Sequence, residues 1–139
     1  MTGHINPEHA QFEAFKTLPR DTPVNMLNLV RVHDVATYPD GSQTSGREAY
    51  ATYGRESAPV LARVGGSILW RGAFESTLIG PSDERWDFCF IALYPAASAF
   101  LAMVTDPDYQ KAVVHRTAAV QDSRLIRMAA LATGETFAS

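Results

Sequence analysis

Cysteine is almost missing from this chain: Cys89 is the only one in 139 residues. A lone thiol closes no internal disulfide, so the fold must hold by packing, and a reducing, cytoplasmic setting is expected. Lysine is nearly as scarce. Lys16 and Lys111 are the only two, which leaves arginine, whose planar fork suits carboxylate and phosphate contacts, to carry most of the positive charge. There is no strong excess of charge of either sign. A formal net charge of −3, with no clustered basic residues, argues against nucleic acid as a partner. No apolar run approaches the ~20 residues that span a bilayer, and no cationic start precedes an apolar stretch, so neither a membrane partner nor a targeting segment is expected.

Several catalytic signatures are missing too. His4, His9, His33 and His115 stand in no HxH or HExxH spacing, and there is no CxxC, so no metal is expected. Neither a GxGxxG nor a GxxxxGK[ST] loop is present, which removes the usual nucleotide cradles, and no cofactor is expected. The "GRES" at 54–57 is not the G-x-S-x-G of a nucleophile elbow.

With 46% hydrophobic and 19% charged residues, the chain has the composition of one folded domain over 1–139. Residues 1–21 form a helical extension, 22–132 the core and 133–139 a tail. The extension carries a helix over 6–17, with Asn6 as cap and Pro7 in the first position. "VNMLNLVRV" (24–32) reads as a strand. A polar loop over 33–45 contains the turn signal "YPDG". Ser45 and Glu48 have capping-box spacing and open a helix that ends at Gly65-Gly66. Pro59 lies inside it and predicts a kink near 55–59. Strands are expected at 67–76, 86–94 and 124–132, with a short helix after Pro95 and another opened by Asp106-Pro107. The core order, β-α-β-β-α-β, is that of the ferredoxin-like fold, an antiparallel sheet with both helices on one face. "FCFIALY" is apolar on both faces. The side without helices therefore needs a cover, and a twofold homodimer of facing sheets, a dimeric α/β barrel, supplies it.

Two segments, "GREAYATYGRESAPVLARVGGSILWRG" (46–72) and "DPDYQKAVVHRTAAVQDSRLI" (106–126), resemble the bacterial domain-of-unknown-function family 1330. "WDFCFIALYPAASAFLAMV" fits the strand-then-helix segment of that family, and the resemblance spans roughly 22–132. It implies a ferredoxin-like subunit that pairs into a dimeric α/β barrel, with no established activity. The N-terminal helix and the 33–45 loop are additions relative to shorter members, placed where they could cover the mouth of a pocket.

One residue in the 106–124 helix conflicts with its surroundings. At about 100° per residue, Tyr109, Ala112, Val113, Arg116, Ala119 and Val120 share a face, so Arg116 points where core is expected. A buried guanidinium needs a partner. It could pair with Glu75, Asp87 or Glu56, lay its stem on apolar neighbours with its head in solvent, or hold a ligand anion. His115, on the flank of that face, is the candidate base, with Tyr53 or Tyr109 as its hydrogen-bond partner. Tyr50, Trp70, Arg71 and Asn28 complete a candidate ligand pocket between the helix pair and the sheet, Arg71 having Asp87 and Glu75 as alternative partners. The functional expectation is a homodimer that binds a small carboxylated or oxygenated organic molecule, with cofactor-independent proton transfer or oxygenation as its chemistry. The alternative is a non-catalytic dimer whose polar core groups fix packing.

Overall fold

The computed structural model describes residues 3–138. Its centre is the strand β1 (Val24–Val32), where alternate residues Val24, Met26, Val30 and Val32 are buried. The helix α1 (His9–Thr17) precedes it. A hairpin of β2 (Val35–Thr37) and β3 (Gln43–Ser45) follows, then α2 (Gly46–Arg63), β4 (Ser67–Gly72), β5 (Phe88–Tyr94), α3 (Ala97–Val104), α4 (Pro107–Ala119) and β6 (Val120–Met128). The large sheet runs β4-β5-β1-β6, antiparallel throughout. This is the ferredoxin-like arrangement read from the sequence.

Cross-strand register assigns the two faces. Val24, Met26, Asn28 and Val30 stand opposite Tyr94, Ala92, Phe90 and Phe88 on the side covered by α2 and α4. Leu27 and Leu29 stand opposite Ile91 and Cys89 on the other side, with Ile126, Arg124 and Trp70 flanking them. Ile126 and Trp70 are exposed in the single chain.

The helix ends follow local chemistry. Ser45 Oγ accepts the Glu48 N–H at 3.0 Å, but the Glu48 carboxylate turns to Arg55 rather than back to the cap. Asp106 caps α4 by accepting the Asp108 N–H at 2.8 Å. Gly65, at φ 82°, takes the left-handed conformation that closes α2, and Gly66 N–H reaches Leu61 O at 2.9 Å.

Several boundaries differ from the sequence reading. The first helix starts at His9, not at residue 6, because Glu8 and Gln11 form a reciprocal cap that displaces Asn6 and Pro7 from those roles. The last strand runs from Val120 to Met128 instead of 124–132, because β1 sets its length. Pairing opens at Val32↔Val120 and closes at Asn25↔Met128, and the residues beyond make no ladder pair. β4 stops at Gly72 for the same reason, since its partner β5 begins at Phe88, next to the Cys89 that faces Gly72. The 33–45 segment is the β2–β3 hairpin, and "YPDG" is its turn: Gly41 N–H reaches Tyr38 O at 2.9 Å. α2 continues as one helix through Pro59. Among the described residues no helix is long and apolar enough to cross a membrane.

Candidate functional site

The two long helices run antiparallel over the sheet, and ionic contacts set their register. Arg63 near the end of α2 bonds Asp106 at 2.7 Å and Asp108 at 3.4 Å at the start of α4. Two turns back along α2, Glu56 faces His115, two turns beyond Asp108, with Glu56 Oε2 at 3.0 Å from His115 Nε2. The other ring nitrogen, Nδ1, lies 2.6 Å from the Tyr38 hydroxyl on the hairpin turn. Three elements thus build one chain of contacts, Tyr38–His115–Glu56. A carboxylate only accepts, so Nε2 carries a proton toward Glu56, and in the neutral ring Nδ1 accepts the Tyr38 O–H. The Tyr38 and His115 rings meet edge to face at 5.4 Å. Partial burial, with the Glu56 and Glu48 charges, pushes the Tyr38 hydroxyl above its ordinary pKa, so the phenol keeps its proton near neutral pH.

Tyr38 also lines a groove of about 490 Å³ between the hairpin and α4, with Thr37, Pro39, Gln110, Val113 and Thr117 around it. Its walls are mainly apolar and none of the lining side chains is charged. A smaller cleft of about 160 Å³ lies at the start of α2, where Arg47 and Arg85 both bond Asp87. No group of side chains able to hold a metal ion occurs among the described residues.

The residues singled out from sequence fall into separate places. His115 and Tyr53 are not partners, and neither are His115 and Tyr109. The Tyr53 and Tyr109 hydroxyls bond each other at 2.9 Å between the helices, while His115 turns to Tyr38. Tyr50 is buried, stacked on Phe88 with ring centroids 4.6 Å apart. Burial raises the Tyr50 and Tyr53 hydroxyls well above the usual phenol pKa, and Arg116 pulls both the other way. Asn28 faces the helices and donates to Met26 O at 3.0 Å. Trp70 stands on the opposite, open side, opposite Ile91, so it cannot wall a pocket beneath the helices of its own chain. Arg71 lies on the helix side of edge strand β4, opposite Phe90. Of its two expected partners, Asp87 is taken by Arg47 and Arg85, and Glu75 forms no ion pair with it among the described residues.

Arg116 meets no carboxylate among the described residues. Glu56 faces His115 and Asp87 its two arginines, and the guanidinium instead donates to Ile5 O at 2.7 Å and to Ser123 Oγ at 3.4 Å. Ser123 in turn donates to His4 O at 2.7 Å. The N-terminal segment therefore covers this part of the space between helix and sheet. Tyr38 and Glu56 are the members of the contact chain that sequence reasoning did not place there. The Arg63–Asp108 pairing is the signal that could have located Glu56, since sliding back two turns on one helix and forward two on the other sets it against His115.

Fold and site together define an α+β protein of the ferredoxin-like class with a tyrosine–histidine–carboxylate contact chain beside a groove. Residues 42–129 match the family described as "Domain of unknown function (DUF1330)", and the chain belongs to that family. Among solved structures, it is similar to methylated RPA0582, at 55% identity with a TM-score of 0.94, over 97% of this chain and 100% of that one. A second structure of RPA0582, a protein of unknown function from Rhodopseudomonas palustris, matches at 54% identity and a TM-score of 0.91, over 95% and 100% of the two chains. A more distant likeness, at 19% identity with a TM-score of 0.51 over 83% and 99%, is to SnoaB, a cofactor-independent oxygenase from Streptomyces nogalater, and it extends to the fold alone. No curated protein matches the sequence.

Proposed function

We propose that this chain is a homodimeric, cytoplasmic α/β-barrel protein, one domain per copy, that binds a small oxygenated organic molecule in the groove beside Tyr38. There it moves a proton on that molecule without a cofactor. The observation that carries this reading is the Tyr38–His115–Glu56 chain, with contacts of 2.6 and 3.0 Å, ending on a groove wall. The uncharged lining favours a carbonyl or hydroxyl compound over a carboxylate there. A proton beside a carbonyl passes to the Tyr38 oxygen while the Tyr38 proton passes to Nδ1 of His115, and Glu56 stabilises the resulting imidazolium. The raised Tyr38 pKa disfavours a standing phenolate, so the two transfers are coupled. The dimer has its support in the apolar, uncovered side of the sheet.

Incubating the protein with a panel of small ketones and hydroxyketones in D2O, and following loss of C–H signal by NMR, tests this reading. Exchange of at least one compound is expected, slowed about 10²–10⁴-fold in His115→Gln, the usual weight of general acid–base catalysis. Absence of catalysed exchange across the panel, or equal rates in the variant, overturns it. The second reading, a non-catalytic dimer, draws on Arg116, whose bonds to Ile5 O and Ser123 Oγ pin the N-terminal segment to the sheet as a packing device. It requires the negative result.

A further inference from the structure

Arg116 is a part-buried cation whose acceptors among the described residues are all neutral: the carbonyl of Ile5 and the hydroxyl of Ser123. Guanidinium bonds to carboxylates are stronger than bonds to neutral oxygens, and often bidentate. Its charge reaches inward to Tyr50 and Tyr53. The group that occupies it combines an oxygen with an aliphatic branch. Ile5 gives its carbonyl to Arg116 and packs its side chain on the cluster formed by Val30, Val32, Tyr50 and Ala119. A short branched aliphatic acid presents the same two features, with the full negative charge that Ile5 lacks. Residues 3–5 thus form a strap between α4 and the edge strand β6, held by His4 N–H to Asp122 Oδ1 at 2.9 Å and by Ser123 Oγ to His4 O at 2.7 Å. None of these anchors belongs to the Tyr38–His115–Glu56 chain.

We propose that the Arg116 site is a binding site for a small branched aliphatic carboxylate, occupied in the closed form by Ile5 of the strap. The ligand enters when the strap lifts. Its carboxylate takes both terminal nitrogens of Arg116 in place of Ile5 O and Ser123 Oγ, and its branched end takes the place of the Ile5 side chain. Binding of acid and closure of the strap exclude each other.

Gly3 offers a way to open the strap without touching the site. A Cβ there would stand 1.8 Å from the carbonyl oxygen of Gln121, so any larger residue must move the strap off β6. Isovalerate is the probe, titrated into wild type and Gly3→Ala and followed by NMR at the Arg116 Nε–H. Gly3→Ala is expected to bind roughly tenfold tighter than wild type, the scale of losing one or two strap contacts. Adding Arg116→Gln should abolish the gain, the uncharged isovaleramide should not compete, and His115→Gln should leave binding unchanged. Asp122→Ala, which removes the acceptor of His4 N–H, must reproduce the effect of Gly3→Ala and keeps the test intact if that variant does not fold. Equal affinity in wild type and both strap variants, or undiminished binding after Arg116→Gln, overturns the proposal.

Discussion

Asp87 illustrates how unevenly charge contributes at the level of single residues. Its carboxylate is only 9% exposed and holds three groups: the Val32 N–H at 2.8 Å, Arg47 at 3.1 Å and Arg85 at 2.9 Å. Arg63 and Asp106 make a shorter contact, 2.7 Å, but the arginine is 51% exposed. Hydrogen bonds to a shielded charge are worth about 1.5–3 kcal/mol, whereas exposed ion pairs contribute ~0–1 kcal/mol. Urea denaturation should therefore show Asp87→Ala losing about 1.5–3 kcal/mol, and Arg63→Ala under ~1 kcal/mol. Equal losses would mean that distance, not burial, decides. The caps Ser45 and Asp106 were legible because an N-cap needs one side chain at one spacing. Of the partners of Asp87, Arg85 is two residues away, but Arg47 was not legible, because it lies 40 residues away in sequence and only the folded chain brings it close.

At the scale of elements, the strap gives a pH-dependent prediction. Burial pushes the Asp122 carboxyl up, but bonds from His4 N–H, Arg124 and Ser123 N–H outweigh it and hold the group below the usual carboxylate range. A depressed carboxyl stabilises the folded form fully above its unfolded pKa of about 3.9, and that contribution fades as pH falls through the lower folded value. The Asp122 carboxyl carbon resonance should hold steady from neutral pH down to about pH 5, then move under further acid with a midpoint below about 3.9. A midpoint above about 3.9 would contradict the assignment. Helix and strand periodicity were readable along this chain because each is local. Strand ends were not, since β6 ends with its last pair to β1 at Asn25↔Met128, and the occupant of Arg116 was not, since Ile5 lies 111 residues away.

For the whole molecule, the proposed homodimer rests on the sheet side opposite the helices. Trp70 is 55% exposed and Ile126 45%, around a centre of Leu27, Leu29 and Ile91. Placing a charge there should separate the copies. Wild type is expected to sediment as a dimer, and Trp70→Glu with Ile126→Arg as a monomer with retained far-UV circular dichroism. A wild-type monomer would overturn the homodimer. The two-sided apolar pattern of β5 announced this surface, because strand alternation maps directly onto faces. The groove escaped that reading because it forms outside the sheet, where a hairpin turn meets the outer side of a helix.

The strap has one more effect. The outer strands of a sheet are where unrelated copies zip together without limit. Here β6 carries Gly3 flat against the backbone at Gln121, and β4 is interrupted by a register shift between Ile68 and Trp70. With one border covered at its start and the other irregular, growth sideways into fibrils is obstructed, which suits the closed pair proposed above.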